Sequence, residues 1–229
     1  GDWTADNQCF PGWNASDSSW HGTHVAGTIG AASNNGNDVA GVNWKAKVLP
    51  VRVLGRCGGF LSDIVDATRW AAGLAVPGAP ANANPADVIN LSLGGSGACG
   101  TSYQNAFNDL AAAGVVAVVA AGNSGVNVSN ARPANCNNVI TVAATSKTGD
   151  QTYYTNYGAL VEIAAPGGEQ FFANDPGGVL STLNAGLTGP GADDLRYYQG
   201  TSMAAPHIAG LVSLLLGEDP SLTPAEVLD

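Results

Sequence analysis

The sequence predicts an α/β fold in which a mostly parallel central sheet lies between two helix layers, a three-layer α/β/α sandwich. Strand-like and helix-like segments alternate along most of the chain, as βαβ units require. Residues 115–121 (VVAVVAA) are apolar throughout, as expected of a strand covered on both faces, and 139–144 (VITVAA) repeat that character but for Thr141. The 31 glycines and 12 prolines fall largely between these segments, where turns are needed.

Taken in order, residues 1–20 read as loop. Residues 21–32 (HGTHVAGTIGAA) read as a closely packed helix despite the helical cost of glycine. Residues 47–54 (KVLPVRVL) read as a buried strand that Pro50 restricts to one bonding arrangement, followed by a glycine-rich loop over 55–60. Ser62 is the expected cap of a helix reaching Leu74, with Asp63 in its first turn. Residues 88–93 (VINLSL) form the next expected strand, and 101–113 a helix closed by Gly114. Between 152 and 199, short aromatic stretches and Gly/Pro turns suggest antiparallel strands, and 201–216 is the last long helix.

With no repeat and no low-complexity linker, the expectation is one domain over residues 1–229. The capping box Thr223-Pro224-Ala225-Glu226 opens a helix that the sequence follows for barely one turn. The expected domain is therefore incomplete at both ends, the front opening in mid-loop.

Eight Lys and Arg against eighteen Asp and Glu give a net charge of −10 without any basic cluster. That balance argues against nucleic acid and anionic membrane as partners. No apolar run approaches the ~20 residues that span a bilayer. Cys9, Cys57, Cys99 and Cys136 contain no C-x-x-C pair, and with only 11 % charged residues they suggest a secreted protein with two disulfides. Three pairings are open on spacing alone.

Three side chains could carry chemistry together. His21 stands at the start of a helix; with His24 only three residues on and no intervening Glu, the pair does not match a helical zinc motif. His24 and His207 read as buried, hydrogen-bonded histidines. Ser202 opens the last helix among small neighbours, where free amides favour negative charge. Pro206, lacking an N–H, leaves one carbonyl of that helix's first turns unpaired. Asn123 follows the most buried strand at the point where the chain emerges, and its amide can donate to a developing oxyanion.

Four segments carry a resemblance: His21-Gly-Thr-His-Val-Ala-Gly27, Asn90-Leu-Ser-Leu-Gly-Gly95, Ala120-Ala-Gly-Asn123 and Gly200-Thr-Ser-Met-Ala-Ala-Pro-His207. In this order and over nearly the whole chain, they resemble the subtilisin-like serine proteases, the subtilase family. The resemblance implies a serine endopeptidase working through a Ser–His–Asp acyl-enzyme mechanism. His21 would be the general base, Ser202 the nucleophile, and Asn123 with the Ser202 N–H the oxyanion hole; His24 would be structural. The family's Asp-Thr/Ser-Gly motif is missing, and Asp2, Asp6 and Asp17 lie in loop rather than at the end of an apolar strand.

The resemblance further implies that a peptide substrate adds as a strand between Gly58-Gly59-Phe60 and Ser92-Leu93-Gly94. The primary pocket would be walled by Ser92 to Gly95 and by Ala120, Ala121 and Gly122, with Ala131 near its base. No acid stands in these segments, so apolar or aromatic side chains are expected at the cleaved position. In that geometry Cys99–Cys136 would brace the pocket and Cys9–Cys57 the opposite rim. Structural calcium is common in the family, with Asp63 and Asp66 as candidate ligands and Asp2 nearby; no catalytic metal is implied. A propeptide in the precursor, secretion and a monomeric state complete the implied picture. Two alternatives differ in class: a catalytically impaired, peptide-binding relative, and an α/β-hydrolase esterase. The esterase fold wants G-x-S-x-G with its histidine far downstream, whereas here Ala204 replaces the second glycine and His207 follows within five residues.

Overall fold

Valine-rich strands with no polar face need cover on both sides, and the computed structural model, which describes residues 1–37 and 39–228, supplies it. In chain order the elements are α1 (His21–Gly30), α2 (Leu61–Ala71), β1 (Val88–Leu91), β2 (Gly95–Ser96), α3 (Gly100–Ala112) and β3 (Val116–Ala120). There follow β4 (Ala131–Arg132), β5 (Ile140–Thr145), β6 (Ile163–Pro166), β7 (Val179–Asn184), β8 (Asp193–Tyr198) and α4 (Thr201–Glu218). The main sheet runs β1-β3-β5-β6 with every pairing parallel. Two antiparallel pairs, β2–β4 and β7–β8, stand apart from it.

Alternation along β3 divides the core into two. Val116, Val118 and Ala120 face α4, meeting Ala204, Ala205, Ile208, Ala209 and Val212. Ala117, Val119 and Ala121 face α2 and α3, meeting Ile64, Tyr103, Phe107 and Leu110. This is the expected three-layer sandwich. Burying one such aliphatic side chain contributes about 1.5–3 kcal/mol, so β3, buried at every residue, anchors the strand end from which Asn123 emerges.

Helix α1 packs on α4 and on β7. Gly27 lets it approach closely, since a side chain there would run into Ser181 and Thr182. Those two hydroxyls donate to the carbonyls of His24 (2.7 Å) and Thr23 (3.0 Å). Helix α3 ends as expected: Gly114 takes φ +79°, and the Val115 N–H returns to Leu110 O.

Three expectations are corrected. Residues 47–54 pair with no strand among the described residues, and Val48, Leu49, Val51 and Leu54 are 36–40 % exposed. The apolar run was legible, but a strand exists only with a ladder partner, and Pro50 cannot donate to one. Ser62 does not cap α2: the helix starts at Leu61, two residues earlier than a Ser62 cap requires, with Phe60 in extended conformation as N-cap. The region 152–199 is only partly antiparallel, because β6 joins the parallel sheet beside β5. At the far end the capping box forms, with Thr223 N–H to Glu226 Oε2 (2.8 Å) and Glu226 N–H to Thr223 Oγ1 (3.3 Å).

Candidate active site

Ser202 is the second residue of α4, behind Gly200, whose φ of +144° lets the chain turn sharply into the helix. A Cβ at Gly200 would meet Asn123 Nδ2 only at 3.4 Å, an ordinary contact, so it is the backbone conformation that calls for glycine here. The carbonyl that Pro206 leaves without a helical donor is that of Ser202, four residues earlier. The Ser92 hydroxyl donates to it at 2.8 Å, and the Ser202 Oγ donates back to the Ser92 carbonyl at 3.4 Å. The start of α4 is thus tied to the chain just past β1.

Asn123 is oriented by its acceptor end. Its Oδ1 accepts from both the N–H and the hydroxyl of fully buried Thr201, each at 2.8 Å. The Nδ2 hydrogens therefore project away from Thr201, with no acceptor among the hydrogen bonds of the described residues. The Thr201 Oγ1 also accepts from Gly122 N–H at 3.1 Å, joining the end of β3 to the start of α4. The Ser202 N–H, an N-terminal amide of its helix, has no acceptor among the hydrogen bonds of the described residues. Two donors thus stand free beside one hydroxyl, as oxyanion stabilisation requires.

Both Asn123 and Ser202 line a cavity of about 400 Å³ together with Leu93, Gly94, Gly95, Ala120, Ala121, Gly122 and Ala131. The expected pocket residues therefore gather at one place; Ser92 touches it through Ser202. Ala131 lies opposite Ser96 in the β2–β4 pair. Arg132 is the one charged side chain in the lining. Two further residues shape the site, Thr201 from within the serine segment and Asn156 with no motif to mark it. Thr201 sets the Asn123 amide, and Asn156 holds the loop after β3. Its Nδ2 donates to Ala121 O (2.8 Å), and its Oδ1 accepts from Ser124 and Val126 N–H.

Gly58, Gly59 and Phe60 lie outside that cavity. Gly58 and Gly55 bond to each other in a tight bridge. Gly59 is crowded by the Val53 carbonyl, so its lack of a side chain serves the chain's own packing. Phe60 is 77 % exposed.

His21 is half-buried at the start of α1, its N–H donating to Ser19 Oγ at 3.2 Å. Burial holds its pKa below the ordinary histidine value, against the opposing pull of the Asp2 charge, so the ring is neutral at pH 7 and able to accept a proton. Among the described residues no hydrogen bond joins His21 to Ser202 and none joins a carboxylate to the His21 ring. Catalytic hydrogen bonds commonly tighten only when substrate is bound. The Asp2 carboxylate is taken up by Ser19 N–H and Oγ (2.7 and 2.8 Å), and Asp6 accepts from Ala15 N–H. His24 is fully buried, its Nε2 set 3.0 Å from the carbonyls of Val179 and Arg196 and its ring stacked on Tyr198. His207 Nδ1 bonds Met203 O at 2.8 Å.

Both disulfides form as the family geometry implied, Cys9–Cys57 and Cys99–Cys136, closing separations of 48 and 37 residues. Each stabilises by roughly 2–4 kcal/mol. The donors suggested for calcium do not converge. Among the described residues no group of three or more His, Cys, Asp or Glu gathers, and Asp2 is committed to Ser19. Nor is any helix among them long and apolar enough to cross a membrane.

Comparison with known proteins agrees with this fold. A family model described as the subtilase family matches residues 4–229. The chain is 54 % identical over 99 % of its length to an extracellular protease of Xanthomonas campestris pv. campestris. It is 44 % identical over its whole length to an extracellular basic protease of Dichelobacter nodosus. It spans 38 % of the length of each of these relatives. Among solved structures, proteases from Pseudoalteromonas arctica superpose with a TM-score of 0.97 at 55 % identity, over all of this chain and 67 % of theirs. A cold-adapted subtilisin-like serine proteinase gives 0.70 at 29 %, over 97 % of this chain and 70 % of its own. With the family match covering nearly every residue, the chain belongs to the subtilase family.

Proposed function

We propose that residues 1–229 form the larger part of the catalytic domain of a secreted serine endopeptidase. Ser202 attacks the scissile carbonyl and forms the acyl-enzyme; His21 accepts the serine proton and returns it to the leaving amine. Asn123 Nδ2 and the Ser202 N–H receive the oxyanion. The observation that carries the reading is the Thr201–Asn123 pair, which turns a side-chain amide donor into the same cavity as a helix-start serine. The aspartate that orients His21 in such a mechanism comes, in this reading, from chain outside residues 1–229.

Substrate binds as an added strand along Ser92-Leu93-Gly94, its side chain entering the 400 Å³ cavity. A lining without carboxylates and with Arg132 as its one charge supports apolar or aromatic residues at the cleaved position over basic ones. Similarity to proteins named extracellular, together with two disulfides, supports secretion. A propeptide in the precursor and protein substrates follow from the family. Structural calcium is common among subtilases, with Asp63 and Asp66 as the candidate ligands in this chain, and no step is routed through a metal.

A fluorophosphonate probe on the full-length protein tests the proposal. Labelling at Ser202, lost in Ser202→Ala, is the expected result. No labelling with retained peptide binding would overturn it in favour of a catalytically silent relative.

A further inference from the structure

Trp20 stands immediately before His21 with φ +49° and ψ +24°. This is the left-handed region, which bulky side chains rarely enter. Nothing local compensates, since Trp20 makes no side-chain cap bond to α1. Such a conformation persists only where the surroundings over-determine it.

Here the surroundings are distant in sequence. The indole Nε1–H donates to Gly186 O at 2.6 Å. Ser18 N–H donates to Leu187 O at 2.7 Å, and the Tyr198 hydroxyl donates to Ser19 O at 2.8 Å. All three partners belong to β8 or to the loop joining β7 and β8. From the other side the Asp2 carboxylate takes both Ser19 donors, and Ser19 Oγ accepts the His21 N–H. Residues 18–20 are therefore gripped from two directions.

The backbone at Trp20 fixes the direction in which the chain enters α1, and so where the first side chain of that helix points. The His21 ring makes no hydrogen bond among the described residues, which leaves its aim to the backbone. We infer that Trp20 is a positioning residue for His21: its left-handed backbone, held by the β7–β8 loop through the indole N–H, sets where the imidazole stands at the start of α1. The inference rests on the reading of His21 as general base. Glycine would adopt the same φ without strain but would offer nothing to grip; tryptophan adds a broad apolar body and one donor.

In the full-length enzyme, Trp20→Phe removes the indole N–H while keeping a ring in place. Trp20→Gly removes the grip while leaving the left-handed backbone accessible. With a peptide p-nitroanilide carrying an aromatic cleaved residue, kcat falls about tenfold in Trp20→Phe and further in Trp20→Gly, with KM within about twofold. Trp20→Phe carries the test alone if thermal melting shows Trp20→Gly to be unfolded. A kcat within twofold of the parent overturns the inference, as does a raised KM at constant kcat. His21→Ala, measured alongside, separates the two readings. If it keeps the parent kcat, the general-base reading itself fails; if it is inactive while the Trp20 variants are unaffected, only the positioning role fails.

Discussion

The serine half and the histidine half of the site are held in different ways. Ser202 and Asn123 sit where a fully buried strand and a long helix meet, cross-linked by Thr201 and by the exchange of hydrogen bonds between Ser92 and Ser202. His21 stands on a shorter helix, behind a left-handed tryptophan, and is placed by contacts from a loop more than 160 residues away in sequence. The first half is set by the sandwich core, the second by its periphery. In the proposed mechanism the oxyanion donors need to be fixed, whereas a base at His21 must shift slightly as it takes and returns a proton. The rigid support lies with the donors.

The comparison breaks most decisively at Ser202. Ser202→Ala in the full-length enzyme is expected to lower kcat by about 10⁶, the magnitude found in subtilisin, a member of the same family, when either its serine or its histidine is removed. Peptide cleavage and probe labelling both read it. Asn123→Ala should cost about 10²–10³ in kcat with little change in KM, again the size of effect known for a side-chain oxyanion donor in subtilisin. A loss mainly in KM would instead make Asn123 a substrate anchor. Ser92→Ala leaves the Ser202 carbonyl without its donor and should destabilise by about 1–3 kcal/mol in urea unfolding; an unchanged midpoint would mean that the tie between β1 and α4 is idle.

The pH dependence sharpens the contrast further. His21, His24 and His207 all have pKa values lowered by burial. Below the unfolded histidine value of about 6.5 the unfolded chain binds more protons than the native one. Their contribution to stability is therefore complete above that pH and is lost as pH falls through the folded values.

Sequence patterning revealed the serine half far more fully than the histidine half, for reasons visible residue by residue. The unbroken apolar run 115–121 announced a strand buried on both faces, and Pro206 announced a carbonyl in need of a donor. That the donor is Ser92 was not legible, because a contact across 110 residues leaves no local pattern. Asn156 reads as one more polar residue in a Tyr/Asn/Gly loop, although it fastens the loop that carries Asn123. The run 47–54 misled because hydrophobicity reports a tendency to be covered, and no covering strand is present among the described residues. Trp20 carries no signal at all, since its importance is a torsion angle, which composition does not encode.

The two-sided burial of β3 has a consequence for substitution. No position along Val116–Ala120 can take a charge or a markedly larger side chain without disturbing one core or the other.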